Sequence, residues 1–268
     1  MLQGIIGFLG YGNMGSAILE GLIEAGVLTG KYAAVYDPVP DRLLAAESLG
    51  ATVAANAQAL AGMSDVLVLA VKPQIMNEAL QEARKGVKPD ILVISIAAGI
   101  SIAFIRERLG DNVRIVRVMP NTPAMVNAGA AGIALGANCT GDDAAVARTI
   151  FEAVGVAEIV QEKDLDVVTA LSGSGPAYFF YMVECLVNAA VNEGLREEQA
   201  TRLAAQTLMG AGKLLASSGE SAATLRERVT SKGGTTEAAL RCMREERFAD
   251  IVGKAVRAAA ARSRELGA

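Results

Sequence analysis

Histidine and tryptophan are missing from this 268-residue sequence, and aromatic residues make up only 4% of it. Without histidine the chain cannot build a Ser-His-Asp or Cys-His nucleophilic scheme or a His-ligated metal site. It also lacks the His general base that many dehydrogenases use. Its chemistry has to manage protons with other groups, and we predict no metal site.

Cysteine is scarce and forms no pattern. Cys139, Cys185 and Cys242 are odd in number and widely spaced, and none stands in a C-x-x-C pair. This excludes a disulfide framework and a zinc site, and it predicts three reduced core thiols in a cytoplasmic protein. The N-terminus has no basic n-region and enters a strand at once, so we expect no signal peptide.

Basic clusters and membrane-length apolar runs are absent too. The net charge is −4 and the basic residues are dispersed, so nucleic acid is not an expected partner. The most apolar run, Pro176 to Val191, contains Glu184 and Asn188 and is too short to span a bilayer comfortably. We expect a chain that acts on a small molecule, without a membrane.

The most informative segment present is a glycine-rich turn after a short apolar strand, Ile5 to Leu9. Gly10, Gly12 and Gly15 have the G-x-G-x-x-G spacing, and a helix starts near Asn13. In such a turn the first glycine permits the bend, the second lets the backbone approach a pyrophosphate, and the third lets helix pack on strand. The free N–H groups at the helix start would hold the pyrophosphate.

A second strand, Ala33 to Tyr36, ends in Asp37, which stands 22 residues after Gly15. An acid at this place binds ribose hydroxyls and repels a 2′-phosphate. Pro38 stands where an arginine clamp could be, although Arg42 is not far. We predict a nicotinamide dinucleotide as cofactor, NADH or NADPH, with NADH favoured.

The N-terminal part alternates strand-like and helix-like segments, which predicts an α/β fold: a Rossmann-type doubly wound parallel sheet over residues 1–161. The strand-like runs are Ile5–Leu9, Ala33–Tyr36, Val66–Val71, Ile91–Ile96 and Val113–Val118. A weaker run at Gly132–Leu135, a helix near Asp142–Val154 and a strand near Ala157–Val160 should extend the sheet.

No strand-like run follows about Lys163, which predicts an all-α domain over residues 162–268. Helices are expected near 176–193, 196–218, 221–230, 236–246 and 248–265. Ser174 should cap the first of them, with Pro176 in its first turn. That helix is apolar nearly all round, which favours a dimer interface, with the core of a monomer as the alternative.

Three more loops should join the glycine turn, because ligands of open α/β sheets sit at the carboxyl ends of the strands. They are Ala70–Pro73, Ser95–Ser101 and Val118–Pro123. The first and the third of them have a plain structural alternative. Lys72 can be a solvated residue at a helix start, and the two-proline segment, which carries Asn121, can be a rigid turn without a ligand.

A fourth segment, Thr230 to Leu240, lies in the helical region. Gly233 and Gly234 precede two threonines at a helix start. It can be an N-cap with a flexible lead-in. It can equally be a carboxylate pocket, in which helix N–H groups and hydroxyls hold an anion and Thr236 bonds a neighbouring ligand atom. Composition does not choose between these.

Taken together, these segments resemble the pyrroline-5-carboxylate reductase family over essentially the whole chain. The shared motifs are I-G-F-L-G-Y-G-N-M-G at 6–15, A-V-K-P at 70–73, A-A-G-I-S at 97–101, V-M-P-N-T-P at 118–123, L-S-G-S-G-P-A-Y at 171–178 and G-G-T-T-E-A-A-L at 233–240. Many dehydrogenases share the first motif, whereas the last three in this order are specific to this family.

The resemblance implies reduction of (S)-1-pyrroline-5-carboxylate to L-proline by hydride transfer from NAD(P)H to the imine carbon. A protonated imine is already a good electrophile, so placement and charge stabilisation matter more than a strong base. The predicted cofactor-binding residues are Leu9, Gly10, Tyr11, Gly12, Asn13, Met14, Asp37, Asn56, Ala70, Val71, Lys72, Pro73, Ala97, Ala98, Gly99 and Asn121. The substrate would be bound by Ser231, Gly234, Thr235 and Thr236, with Thr236 as the catalytic residue at the ring nitrogen.

The family architecture further implies a homodimer of interlocked helical domains, with assembly into a decamer as a further option. The chain departs from the family pattern at two places. Lys232 stands where the family usually has proline, next to the substrate loop. Asp37 and Pro38 stand where NADPH-preferring members often carry a small polar residue followed by arginine.

Two other functions compete. A β-hydroxyacid dehydrogenase shares the glycine turn and a helical second domain. Its catalytic lysine is usually followed four residues later by asparagine, whereas Lys213 is followed at that spacing by Ser217. A non-catalytic nucleotide-sensing Rossmann protein would keep the glycine turn. It would have no reason to keep both the Met119–Pro123 and Gly233–Thr236 loops.

Overall fold

The computed structural model describes Leu2 and residues 4–267. Its strands form one sheet in the order β3-β2-β1-β4-β5-β6-β7-β8. The strands are β1 Ile6–Leu9, β2 Ala33–Tyr36, β3 Thr52–Val53, β4 Val66–Leu69, β5 Leu92–Ser95, β6 Arg114–Met119, β7 Gly129–Leu135 and β8 Gly155–Ile159. All the predicted strands are confirmed. The two-residue β3 was missed because so short a segment shows no alternation.

The helices cover both faces of the sheet and fill the C-terminal part. They are α1 Asn13–Glu24, α2 Pro40–Ser48, α3 Ala57–Met63, α4 Met76–Ala83, α5 Ile102–Leu109, α6 Gly141–Glu152, α7 Leu165–Val168, α8 Gly175–Asn192, α9 Glu197–Ser218, α10 Ala222–Arg228, α11 Thr235–Glu245 and α12 Phe248–Gly267. Short 3-10 turns occur at Gly30–Tyr32, Pro73–Ile75, Thr122–Val126 and Glu162–Asp164, and a π turn at Thr169–Gly173.

Two apolar cores lie on opposite faces of the sheet. Ile18 and Leu22 of α1 pack with Phe151 of α6 in one core. Leu60 of α3 and Leu80 of α4 belong to the other. Neighbouring residues of a strand point to opposite faces, so each buried strand contributes to both cores. This arrangement confirms the doubly wound fold.

The sheet is parallel from β3 through β6, but β7 runs antiparallel to β6. The physical reason lies in the two-proline loop after β6. A 3-10 turn at Thr122–Val126 is followed by Asn127 in the left-handed region at φ 55°, and β7 starts two residues later. So short a connection cannot cross the sheet, and a parallel pairing would need a crossover of a dozen or more residues.

The described chain divides into two compact units. The first runs to Ser174 and includes the C-terminal segment from Ala259, and the second is Gly175–Ala258. The domain boundary predicted at residues 161/162 stays a prediction. Ser174 directly precedes α8, but its backbone is helical (φ −87°, ψ −20°) and not extended as at a typical N-cap, because it also ends the π turn.

Within the second unit α8 packs against α9, and the single chain leaves large apolar side chains of α8 uncovered. Phe179, Phe180 and Tyr181 are 58%, 66% and 66% exposed. The prediction of core thiols is wrong for Cys185 and Cys242, which are exposed, while Cys139 is half-buried. In the described part of the chain, no helix combines the length and the apolar character that crossing a membrane requires.

Candidate functional site

The glycine turn has the shape that close backbone approach requires. Gly10 lies in the left-handed region at φ +97°, and a Cβ there would stand 2.8 Å from the carbonyl of Ala70. A Cβ on Gly15 would stand 2.6 Å from the carbonyl oxygen of Gly10. These two glycines are therefore fixed by packing between β1, α1 and the loop after β4.

Gly12 differs from the other two glycines, because only Arg42 lies near its side-chain position, with Nη1 at 3.9 Å. It is the N-cap of α1 and, being glycine, satisfies none of the N–H groups of the first turn with a side chain. These donors and the positive end of the helix dipole form an anion-binding cradle. A Cβ at Gly12 would fill the space above them, so the turn fits the pyrophosphate of a dinucleotide.

Asp37, predicted to bind the ribose, is 3% exposed and already holds protein groups. Its Oδ2 accepts the backbone N–H of Tyr11 at 2.8 Å, and its Oδ1 accepts that of Val39 at 2.9 Å. Nη1 of Arg42 lies 3.1 Å from Oδ2. Asp37 thus ties the end of β2 to the glycine turn and anchors a half-exposed cation beside Gly12.

Tyr11 presents only its backbone to this site. Its ring is 3% exposed and packs in the core with α1. Its hydroxyl is buried and has no hydrogen-bond partner among the described residues. Burial, and secondly the charge of Glu20, raises the pKa of Tyr11 to about 12.

Two further predicted loops meet the glycine turn at the same edge of the sheet. The backbone N–H of Ala70 donates to the carbonyl of Leu9 at 2.8 Å. Lys72 is exposed and precedes the Pro73–Ile75 turn, with Pro73 in the predicted first position. In the loop after β5, Ala97 is buried and Gly99 lies at φ +76°.

Asn56 and Asn121 have different surroundings. Asn56 is the N-cap of α3, and its Oδ1 accepts the N–H of Ala59 at 2.8 Å. Among the described residues its amide N–H₂ donates to no acceptor, so it can donate to a ligand. Asn121 is 8% exposed. Its Oδ1 accepts the N–H of Ala130 at 2.8 Å and its Nδ2 donates to the carbonyl of Ser172 at 3.0 Å. Both ends of this amide therefore tie the two-proline loop to β7 and the π turn.

Glu162 is a residue that sequence reasoning missed. Its Oε1 accepts the backbone N–H of Ile102, the first residue of α5, at 2.8 Å and lies 3.3 Å from Nη1 of Arg117. It therefore fixes the C-terminal side of the Ala97–Ser101 loop. An acid 60 positions away in the sequence gives no local signal for this contact.

The predicted substrate residues all lie in the second unit, at the start of α11. Gly234 is its N-cap, and no side chain caps the helix. Gly233 lies at φ +73°, and a Cβ on Gly234 would collide with the Ser231 hydroxyl. The backbone thus folds tightly against Ser231 and leaves the first-turn N–H groups of Thr235 and Thr236 for an anion.

Glu237, which was not among the predicted site residues, also contacts this helix start. Its Oε2 accepts the backbone N–H of Gly233 at 2.6 Å, which holds the glycine pair in place. An acidic residue here is favourable for the helix dipole. Thr235 is exposed and Thr236 is half-buried. An anion bound by these residues would have the carboxylate of Glu237 as a neighbour.

The described side chains contain no cluster of three or more Cys, Asp or Glu residues placed to hold a metal ion. The structure brings the predicted cofactor residues together in the first unit, because β1, β2, β4, β5 and β6 are parallel and their carboxyl ends share one edge. The arrangement offers N–H donors for a pyrophosphate and one buried acid paired with one cation. It offers no strong general base.

Comparisons with known proteins agree with this arrangement. The family "Pyrroline-5-carboxylate reductase dimerisation" matches residues 162–266, and "NADP oxidoreductase coenzyme F420-dependent" matches residues 5–99. Pyrroline-5-carboxylate reductase of Escherichia coli (strain K12) is 40% identical over 262 residues, which cover 97% of each chain.

Two solved structures have the same fold over their whole length. A pyrroline-5-carboxylate reductase from Coxiella burnetii has a TM-score of 0.94 at 37% identity, and the match covers 100% of both chains. Plasmodium falciparum pyrroline carboxylate reductase with NADP bound has a TM-score of 0.87 at 31% identity, again over 100% of both chains.

Proposed function

The chain belongs to the pyrroline-5-carboxylate reductase family, and we propose from this premise which of its residues hold the cofactor and the substrate. It is an NAD(P)H-dependent oxidoreductase that reduces the C=N bond of 1-pyrroline-5-carboxylate to give proline. The observation that carries the assignment is the full-length match to named reductases, joined to an uncapped glycine turn at Gly12.

The reduced nicotinamide supplies the hydride, and the first unit binds the dinucleotide that carries it. Gly12, Asn13 and Met14 offer backbone N–H groups to the pyrophosphate. Asn56 offers amide donors, and the loops Ala70–Pro73 and Ala97–Gly99 border the nicotinamide. Asn121 supports the loop and does not contact the cofactor with its amide, because both ends of that amide bind the protein backbone. We keep Leu9, Gly10, Tyr11 and Asp37 in this set as residues that shape the turn.

The helix start at α11 binds the substrate. Ser231, Gly234 and Thr235 receive the carboxylate, because an uncapped helix end offers N–H donors and a favourable dipole. Thr236 is the catalytic residue and holds the ring nitrogen. When hydride reaches the carbon of the protonated imine, the π electrons move to nitrogen, which becomes the amine. This step needs orientation and no base, which suits a chain without histidine.

The cofactor preference rests on Asp37 and Arg42. The carboxylate favours a free ribose hydroxyl, so NADH is used at least as well as NADPH. Arg42 lies beside the turn with Nη1 3.1 Å from the carboxylate and is half-exposed. Released from that pair, it can reach a 2′-phosphate. Both cofactors are therefore substrates, and Arg42 supplies the affinity for NADPH.

The assembly is a homodimer formed by the helical region, residues 162–268, with residues 1–161 as the dinucleotide-binding domain. The uncovered apolar side chains of α8 support this proposal, because a stable soluble chain needs a cover for them. We further propose that these dimers stack into a decamer and that the enzyme is located in the cytoplasm.

The test is oxidation of NADH and of NADPH on addition of 1-pyrroline-5-carboxylate, with the proline formed measured directly. Reduction of NAD⁺ or NADP⁺ by 3-hydroxyacids is the control for the competing dehydrogenase. Turnover of 3-hydroxyacids in place of the imine would overturn the assignment. Tight cofactor binding with no turnover of either substrate would favour the nucleotide-sensing alternative.

A further inference from the structure

The last turn of α12 lies against the loop that follows β5. A Cβ built on Gly99 would stand 2.9 Å from the carbonyl oxygen of Leu266 and 3.5 Å from the backbone N of Gly267. Conversely, a Cβ on Gly267 would stand 3.1 Å from the carbonyl oxygen of Gly99. Two glycine backbones therefore pack on each other. A side chain on Gly99 would collide with the carbonyl of Leu266, and one on Gly267 would have to displace the carbonyl of Gly99.

This end of α12 is anchored in the first unit by a partly buried hydrogen bond. Oγ of Ser263 donates to Oδ1 of Asp166 in α7 at 2.6 Å. Ser263 is 7% exposed and Ala260, one turn earlier, is 6% exposed. The segment from Ala259 belongs to the same compact unit as the sheet. The contact with Gly99 is thus made by a fixed helix end.

The loop Ala97–Ser101 is consequently held from two directions. Glu162 fixes its far side through the N–H of Ile102 and is itself paired with Arg117. The α12 turn fixes Gly99, whose φ of +76° would be strained for a residue with a side chain. Asp166 stands four residues after Glu162, so both supports come from one short stretch of chain.

We propose that the last turn of α12, Ser263 to Gly267, is a positioning element for the nicotinamide half of the cofactor and acts through Gly99. This inference rests on the proposed function in one respect, namely that Ala97–Gly99 border the nicotinamide. A loop already held in its bound position loses less conformational freedom when the ring binds, which increases affinity. The glycine turn holds the ADP half of the cofactor, so binding of that half does not depend on the last turn of α12.

The experiment compares the full-length variants Gly267→Val and Ser263→Ala with Glu265→Ala, whose exposed side chain only pairs with Arg262 on the same helix. Binding of NADH is followed by its fluorescence, and binding of ADP-ribose, which lacks the nicotinamide, by calorimetry. We expect Gly267→Val to raise the Kd for NADH by about tenfold and to leave that for ADP-ribose within about twofold. Ser263→Ala should give a smaller change in the same direction.

Asp166→Asn keeps an acceptor oxygen for Ser263 and should bind NADH as the wild type does. Equal weakening of NADH and ADP-ribose in Gly267→Val would mean general loss of structure and would overturn the proposal. Unchanged NADH affinity in both Gly267→Val and Ser263→Ala would also overturn it. These measurements use no imine, so a chain that passes them but does not reduce 1-pyrroline-5-carboxylate contradicts only the proposed function.

Discussion

The backbone N–H of Tyr11 donates to the carboxylate of Asp37 at 2.8 Å, although the two residues stand 26 positions apart. This bond joins the glycine turn after β1 to the end of β2, so the acid shapes the turn in addition to its proposed role at the ribose. A substitution of Asp37 would therefore change the turn and the cofactor preference together. Arg42 is the cleaner position for testing that preference.

We expect the wild-type enzyme to use NADH at least as well as NADPH. Arg42→Ala should lower kcat/KM for NADPH by about tenfold, or about 1.4 kcal/mol, and leave NADH nearly unchanged. Initial rates with both cofactors check this, and Arg148→Ala, whose partner Glu152 lies on the same exposed helix face, is the control. A tenfold preference of the wild type for NADPH would contradict the role given to Asp37.

Gly12→Ala and Gly15→Ala should separate binding from folding. At Gly12 the backbone is extended and a Cβ has room, so the variant should melt near the wild type but bind NADH at least tenfold more weakly. At Gly15 a Cβ would stand 2.6 Å from the Gly10 carbonyl oxygen, so the melting temperature itself should fall. Thermal melts and NADH titrations measure the two effects. Normal NADH affinity in Gly12→Ala would disprove the pyrophosphate cradle.

Thr236→Ala should damage catalysis more than folding. Loss of a hydrogen bond to a charged group costs about 1.5–3 kcal/mol, so kcat/KM should fall by roughly ten- to a hundred-and-fifty-fold. Thr235→Ala is the comparison, and its effect should appear mainly in KM because its expected role is carboxylate binding. Melting curves accompany the kinetics. Near-normal turnover and KM in Thr236→Ala with a lower melting point would reduce Thr236 to a helix-start residue.

Phe180→Glu tests the assembly in the full-length chain. Phe180 is 66% exposed on α8, so a charge there should not disturb the fold of the single chain, yet it should prevent a dimer that buries this face. Light scattering at micromolar concentration should show dimers or larger species for the wild type and monomers for the variant. Glu198→Lys on exposed α9 changes charge in the same unit and serves as the control. A wild-type monomer with full activity would contradict the proposed assembly.

Because the pKa of Tyr11 is raised in the folded state, we expect the protein to lose stability at high pH. Its folded-state pKa is about 12 against an ordinary value of 10.0, so its contribution to stability is complete below pH 10 and is lost between pH 10 and 12. Tyr11→Phe should therefore unfold at a higher pH than the wild type. Denaturant melts at pH 8, 10 and 11 check this. Tyr32→Phe, at a 43% exposed tyrosine, is the control and should behave as the wild type does.

Much of the fold could be predicted because its signals are local. The Gly10–Gly15 turn, the buried strands and the helix starts at Pro73 and Thr235 each arise from residues adjacent in the sequence. The reversal of β7 and the π turn before α8 could not be predicted. A strand run carries no sign of its direction, and the helical backbone at Ser174 depends on its packing context more than on its own preference for a cap.

The sequence by itself determined the doubly wound sheet, the position of the dinucleotide turn and the family, because each depends on residue spacing along the chain. Only the tertiary structure decided what Asp37, Asn121, Glu162 and Gly99 contact. Asp37 pairs with Arg42, Asn121 binds backbone on both sides, Glu162 accepts the first N–H of α5, and Gly99 packs on Gly267. Asp37–Arg42 and Asn121–Ala130 are close in the sequence, whereas Asn121 and Ser172, Glu162 and Ile102, and Gly99 and Gly267 stand tens of positions apart or more. These distant pairs meet only after the strands have aligned their carboxyl ends and α12 has returned to the sheet unit.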